Sequence, residues 1–560
     1  MQRGVGRPSK RRRSVIADRI NHWKKSSLGP ETATDLGAWP RFYIDELKKR
    51  GKLENIMNLL KDGGIAATDY SGLDAPAVGW AALREDLHSE SNWKQPWEML
   101  AWVRSCDNDK VAKSVLEKMS AGSSCVLNDV MERLAPEGQE WLRLQMKAFE
   151  NCARDSLQWK NLSTNIKDFI HANESWLFPE LAKSFCSVHG CNCFVQPLAQ
   201  FQARGSATSE VHGNSATLRK PWWRDSSIAG GSSSAAPLAV NVSGPPCRDF
   251  AGTGQQMKTE AKHQILQELW ETERRQRSLQ KSEDVWFYEN VTRAPVAEMA
   301  KRLSSTSDVR YVHSSPEHLG FPERRPRVHM CGINHHKCVW VGPTQSSFAA
   351  ALQAFRGRSC ELTGDAFCVA PEADVYDMVR VMARKHNTTL PLGWQGKQMT
   401  EYMTELLPSG SIDRLAEYEH ENSQQLAANV HGIGVCDLEH HPESRGPVAG
   451  ALWPATLTHH QMYVFSLKRL ATPGESFAAQ GFDWFPEVAG GRCITPLKAI
   501  VEGLPYRHQK MLVGNSMHVP SIMSFMLFCF AHIRKKDDLQ KLPRPVTGIG
   551  MAADDTDSEA

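Results

Sequence analysis

Apolar positions along the chain switch between two periods. From residue 31 to about 135, helical patterns such as Arg41–Lys61 surround two short apolar stretches, Gly64–Thr68 and Leu100–Val103, suited to buried strands. Patterned sequence resumes at Pro237–Val242, and Val285–Val291 reads as an apolar strand ending in Glu-Asn. Strand and helix patterns that alternate in this way predict a parallel sheet with crossover helices. Residues 136–240 differ: a charged helical segment gives way to Gly/Ser/Ala-rich sequence, including Ile228–Pro237, which reads as linker or loop. The longest apolar run, near Val519–Ile533, is shorter than a membrane span requires and holds Pro520 and His532, so no membrane partner is expected.

Composition changes this picture only locally. At 560 residues and 41% hydrophobic, the chain has material for a sizeable core and for two or three folded units. A net charge of +3 means that any basic surface must come from clustering. The cluster lies in residues 1–25, where Arg3, Arg7, Lys10, Arg11, Arg12, Arg13, Arg19, Lys24 and Lys25 face one acid, Asp18. No apolar stretch follows, so a secretory signal is not expected. Val5–Arg13 has the Gly-Arg-Pro core and flanking charge of an AT-hook-like minor-groove ligand. It also reads as a nuclear localisation signal or as a solvated tail, and the nucleus is the expected location. The acidic tail Asp554–Glu559 reads as solvated.

The fourteen cysteines are scattered, which favours reduced thiols over a disulfide framework. Cys186, His189, Cys191 and Cys193 are of types that bind zinc. The single-residue gaps on either side of Cys191 are tighter than common zinc spacing, so ordinary thiols and no metal are expected there. The same holds for Cys331, His335, His336 and Cys338, which continue a strand.

Three segments carry candidate chemistry. In Ser243–Phe250, strand-forming residues lead through Gly-Pro-Pro to Cys247, where a loop leaves the carboxyl edge of a parallel sheet and reactive groups gather. Alone, Cys247 is as well read as a structural cysteine in a Pro-rich turn. Glu289, at the end of an apolar strand, can donate a proton near neutrality if its pKa is raised, or be an ordinary solvated acid. Arg325 and Arg327, two apart, share a face of an extended strand and can grip a carbonyl or phosphate, or mark a charged edge strand.

Taken together, Pro-Pro-Cys, then Glu-Asn-Val, then Glu-x-Arg-x-Arg resembles the cytosine carbon-5 methyltransferase family, whose hallmarks are Pro-Cys-Gln, Glu-Asn-Val and Gln-x-Arg-x-Arg. Arg469–Glu475 with Gln480-Gly-Phe482 resembles the family's penultimate motif, and Gly514-Asn-Ser516 its last. Upstream, Thr68–Ala75 resembles the loop that holds S-adenosylmethionine. Ser105–Asp109 and Val126–Val130 resemble the strand ends that meet the ribose and the adenine. The resemblance implies an α/β, doubly wound Rossmann-like methyltransferase domain with a smaller target-recognition domain. It makes Cys247, Glu289, Arg325 and Arg327 catalytic. It assigns Tyr70, Ser71, Gly72, Leu73, Asp107, Asp129, Asn515 and Ser516 to the cofactor, and Pro246, Arg248 and Asn290 to the substrate. The implied partner is duplex DNA with its target cytosine flipped out, with RNA as an alternative because one branch of the family acts on tRNA. A decayed, non-catalytic nucleic-acid-binding protein is the reading from another class.

The sequence departs from the family at four positions. Arg248 and Glu323 each replace a Gln, Thr68 replaces the leading Asp of the cofactor loop, and Asp74 replaces its second Gly. A negative Asp74 is unhelpful to a cofactor carboxylate unless it points away. Asp129 and Cys247 are separated by an insertion of roughly ninety residues, tolerable because loop-closure entropy grows slowly with length. The expected organisation is a basic arm (1–30), cofactor motifs (31–135), an insertion and linker (136–240) and the nucleophile-bearing core (241–334). A recognition domain (335–466), the rest of the catalytic domain (467–536) and the acidic tail (537–560) follow.

Overall fold

The computed structural model describes residues 30–90, 100–120, 124–152, 157–195, 237–246, 262–427, 432–443, 449–489 and 496–540. The basic arm, the linker 196–236, and Cys247 with Arg248 lie outside these residues.

The expected strands form at β1 (Gly64–Asp69), β2 (Ala101–Cys106), β3 (Cys125–Leu127), β6 (Leu238–Ser243) and β7 (Val285–Val291). They run parallel, each pairing with its neighbour in the order β3-β2-β1-β6-β7. The sheet reaches nine strands by adding β4 (Lys183–Cys186) and β5 (Cys191–Phe194) at one edge. At the other edge β10 (Arg327–Asn334) lies antiparallel between β7 and β8 (Ser307–Ser314). The short β9 (Glu323–Arg324) pairs elsewhere, with Trp453–Pro454.

Helices cover both faces, as a parallel sheet requires. In β7, Val285 and Phe287 enter one core while Trp286 and Tyr288 enter another, the period of two expected of a strand buried on both sides. Helix Val519–Phe530, which is the apolar run of the sequence, is buried on every side and packs on helix Ala75–Glu90. Gly79 permits that approach, since a Cβ there would lie 2.3 Å from Met523 Cγ. This is a doubly wound, Rossmann-like α/β fold.

Two expected boundaries shift. Helix Gln345–Arg356, within the expected recognition domain, adds Phe348, Leu352 and Phe355 to the large core. A second core, containing Met378, Tyr402, Leu406, Tyr418, Tyr463 and Leu470, begins near helix Glu372–His386. An amphipathic pattern shows that a helix buries one face but not against which core. The 136–240 segment is likewise more than a linker. Helix Leu157–Ala172 packs on both helix Pro136–Asn151 and helix Lys262–Leu279, with Leu142, Ile166, Ile170 and Leu269 in one apolar cluster, and the β4–β5 hairpin then covers the β3 edge.

Candidate active site

The strand order reverses between β1 and β6, and ligands of open α/β sheets bind in the crevice at the carboxyl ends beside such a point. The two loops that leave these strands touch at their roots, where Gly244 N–H donates to Asp69 O at 3.3 Å.

The loop after β1 is wound through the left-handed region at Tyr70 (φ 55°), Gly72 (φ 53°) and Asp74 (φ 56°). Glycine takes this conformation without strain, whereas a tyrosine does so only when its surroundings enforce it. Tyr70 packs against the Trp270, Trp286 and Tyr288 cluster. Ser71 is stitched to β2: its N–H donates to Cys106 O at 3.0 Å, its Oγ accepts from Cys106 N at 2.9 Å, and its hydroxyl meets Thr68 Oγ1 at 2.7 Å. Leu73 sits in the large core. The Ser516 hydroxyl donates to Leu512 O at 2.8 Å. The side chains of Ser71, Leu73 and Ser516 therefore face inward, and these positions offer backbone to a cofactor.

Asp107, Asp129 and Asn515 are placed differently. Asp107, half-buried at the end of β2, accepts Gly72 N–H at 2.8 Å on one oxygen and Asp109 N–H at 2.9 Å on the other. Burial raises its pKa, while these two N–H groups oppose the shift. Asp129, half-buried after β3, accepts Met131 N–H at 2.9 Å. Asn515 is exposed, and its carbonyl oxygen would lie 3.5 Å from a Cβ on Gly72. Asp74 turns inward, where Ser105 Oγ donates to it at 2.5 Å and burial pushes its pKa up to about 6. That orientation removes the electrostatic objection raised by its sequence position.

On the substrate side, Glu289 and Arg327 form an ion pair, with Arg327 Nε 3.1 Å from Glu289 Oε1. In the β7–β10 ladder Glu289 faces His329 and Arg327 faces Val291, so the two side chains are diagonal neighbours on one face. Asn290 points the other way and donates from Nδ2 to Pro245 O at 3.1 Å, bracing the root of the Cys247 loop. Gly244 keeps that root close to the acid, since a Cβ there would lie 3.9 Å from Glu289 Oε2 and 2.8 Å from Met517 Cε. Pro246 is half-buried on the same root.

Arg325 parts from Arg327. Its guanidinium donates to Thr456 O at 2.9 Å and to Ser516 O at 2.7 Å, binding the second unit to the Asn515 turn. The expected shared face fails because β9 ends at Arg324 and β10 begins at Arg327, with Pro326 in the gap. Glu323, which stands where the family has Gln, is fully buried. It accepts from Gln480 Nε2 at 3.0 Å and lies 3.7 Å from His518 Nε2. Burial pushes its pKa up to about 8 against the opposing pull of Arg325 and Arg327, so at neutral pH it is mostly protonated and resembles the Gln it replaces.

Sequence reasoning missed the layer beneath this site. Asp69, wholly buried, pairs with Arg104 at 2.7 Å and with Arg133, and lies 3.7 Å from Arg274. Asn241 Nδ2 donates to it at 2.9 Å. Glu273 and Glu283 complete the network through Arg133 and Arg274. Burial alone would raise the Asp69 pKa, but Arg104 and Arg133 outweigh it and hold the carboxyl well below the usual range. The one visible signal was Arg104 in the middle of an otherwise apolar strand.

Among the cysteines, Cys331 packs against Cys529, with the sulfurs 3.4 Å apart. Cys186, His189 and Cys193 converge with Cys125, whereas Cys191 is exposed and outside that group.

No family model and no curated protein matches the chain. Among solved structures it is similar to a triple mutant of DNMT2 from Spodoptera frugiperda, 11% identical over 84% of this chain and 99% of that one, with a TM-score of 0.36. The Entamoeba histolytica methyltransferase EhMeth is 11% identical, with 85% and 99% covered and a TM-score of 0.32. The S. pombe Dnmt2 methyltransferase is 11% identical, with 83% and 97% covered and a TM-score of 0.34. Such scores carry no argument by themselves. The fold rests on the strand order, and the order of motifs along the chain is what resembles the cytosine carbon-5 methyltransferases.

Proposed function

We propose that the protein transfers a methyl group from S-adenosylmethionine to carbon 5 of cytosine in DNA. One observation carries the reading: the loops after β1 and β6 join at their roots beside the switch point, the first carrying the Gly72–Asp107 contact and the second lying beside Glu289 of the Glu289–Arg327 pair. The residues suit a nucleoside cofactor. Asp107 and Asp129 lie at successive strand ends with lone pairs beyond those their backbone partners use, and Gly72 and Asn515 face each other across the loop. When bound, the cofactor supplies an electrophilic methyl group.

The chain's own residues would do the rest. Cytosine carbon 5 is a poor nucleophile until the Cys247 thiolate adds to ring carbon 6, which splits one hard step into easier ones. Glu289 hydrogen-bonds ring nitrogen 3 and the exocyclic amine, and Arg327 holds both Glu289 and the ring carbonyl. Arg248 favours the thiolate or a nearby phosphate. Asn290 and Arg325 are positioning residues that fix the Pro245 root and the Asn515 turn. Once carbon 5 carries the methyl group, a base takes its proton, the carbon 5–carbon 6 double bond re-forms, and the carbon 6–sulfur bond breaks to release Cys247 as thiolate. The base must be flipped out of the duplex, at a cost of a few kcal/mol. The basic arm adds phosphate contacts that weaken with salt and directs the chain to the nucleus.

The test is transfer of labelled methyl from S-adenosylmethionine to duplex DNA, single-stranded DNA and tRNA by wild type and Cys247→Ser. Label on DNA that disappears with Cys247→Ser is the expected result. Label on tRNA alone moves the protein to an RNA substrate. No transfer and no cofactor binding by calorimetry would leave a non-catalytic binding protein.

A further inference from the structure

Away from the β1/β6 crevice, four side chains converge that the proposed chemistry does not use. Cys125 opens β3, Cys186 closes β4, His189 lies in the turn at 187–190 and Cys193 lies on β5. Their sulfur and ring-nitrogen atoms all lie within 4.8 Å of one another. His189 Nδ1 is 3.4 Å from Cys125 Sγ, 3.3 Å from Cys186 Sγ and 3.4 Å from Cys193 Sγ. None of the three cysteines is in a disulfide.

Those distances can be compared with a coordination shell. Tetrahedral zinc with Zn–S of about 2.3 Å and Zn–N of about 2.0–2.1 Å places nitrogen about 3.6 Å from each sulfur and the sulfurs about 3.8 Å apart. One nitrogen nearly equidistant from three sulfurs, each a few tenths of an ångström inside that separation, has this shape. Packing of unrelated thiols gives no reason for such symmetry. The spacing also improves on the linear reading. With Cys125 in place of Cys191, the hairpin ligands are Cys186-x2-His189-x3-Cys193, free of the single-residue gaps that argued against a metal.

We propose that Cys125, Cys186, His189 and Cys193 form a structural zinc site. Three thiolates and one imidazole select zinc over hard cations such as magnesium or calcium. Four protein ligands close the shell and leave no position for water, so the site is structural and not catalytic.

The fold gives the site a task. The hairpin meets β3 through the single register pair Leu127↔Cys186, supported by Ser187 N–H donating to Val126 O at 3.0 Å. The apolar cluster beneath it is small: Cys106, Cys125, Leu127, Ala182, Cys186 and Val195. Zinc would bind the hairpin to β3 just ahead of the loop that carries Asp129, and so order the adenine side of the proposed cofactor site. The metal site itself does not depend on that assignment.

The experiment uses the full chain, produced without added zinc and purified without metal-chelate chromatography, with metal measured by elemental mass spectrometry. The expected result is one zinc per chain retained through dialysis. Replacement by cobalt(II) should give the intense d–d bands of a tetrahedral site and a sulfur-to-cobalt charge-transfer band. Cys193→Ser should lower zinc content about tenfold or more, while His189→Cys and Cys191→Ser keep it. Wild-type readings decide the matter even if a variant fails to fold. Wild type that holds no zinc, as isolated or after zinc sulfate in reducing buffer, overturns the site. So does an octahedral cobalt spectrum, or a loss with Cys191→Ser equal to that with Cys193→Ser.

Discussion

At the centre of the sheet Asp69 is buried among Arg104, Arg133 and Arg274, while at its far edge three thiols surround one imidazole and a single register pair joins the hairpin to β3. The centre is covered on both faces by helices, so charges there are cut off from water and survive only when paired. The edge hairpin exposes half of β4 and rests on a small apolar cluster, so the proposed zinc ligation would add a cross-link there. The chain uses polar groups in both places, but in the centre they are tolerated by being matched, and at the edge the proposed zinc would make them a source of cohesion.

The comparison breaks most sharply at Asp69. Asp69→Asn takes from the buried Arg104 the acid it pairs with and should cost about 3–5 kcal/mol in denaturant unfolding, with zinc at the proposed hairpin site unchanged. A loss under about 1 kcal/mol would mean that the network is ornamental. The Asp69 contribution is present above the ordinary aspartate pKa and is lost as pH falls through its depressed folded value.

Glu323 is the opposite case, a buried acid that keeps its proton. The unfolded chain loses that proton near 4.5 and the folded chain only at about 8, so its contribution to stability is full below the first value and disappears as pH rises through the second. Arg325, Arg327, Gln480, His518 and Glu317 surround the carboxyl, and burial holds His518 well below its usual range. Glu323→Gln should therefore stabilise the protein by about 2–4 kcal/mol at high pH and by little in acid. Equal unfolding profiles for the two proteins across pH would show that the carboxyl is not held neutral.

Arg325→Ala removes the bonds to the carbonyl oxygens of Thr456, Ser516 and Gly514 and should cost about 1.5–3 kcal/mol. Arg327→Ala, at an ion pair beside the proposed site, should lower the proposed methyl transfer more than Arg325→Ala does. Reversed effects would exchange the proposed positioning and catalytic roles of the two arginines. The smallest effect belongs to the exposed Cys191, where Cys191→Ser should change stability by no more than about 0.5 kcal/mol.

The parallel strands, the helices between them, the apolar helix Val519–Phe530 and the candidate loops after β1, β6 and β7 were legible in the sequence. Each depends on local periodicity or on a short run of special residues, and such signals are written in neighbouring positions. The two cores could not be assigned in this way, because Gln345–Arg356 has the same amphipathic pattern whichever surface it covers. Nor could the direction of Arg325, which depends on carbonyl oxygens at Thr456 and Ser516 more than a hundred residues away. The protonation of Glu323 and the ionisation of Asp69 came from burial and from which guanidinium groups arrive beside each acid. Cys125 joined Cys186, His189 and Cys193 only because β4 docks beside β3, and the linear spacing pointed to Cys191 instead. Chain order thus determined which pieces form and which chemistry they carry, while tertiary structure decided every property that depends on partners distant in sequence.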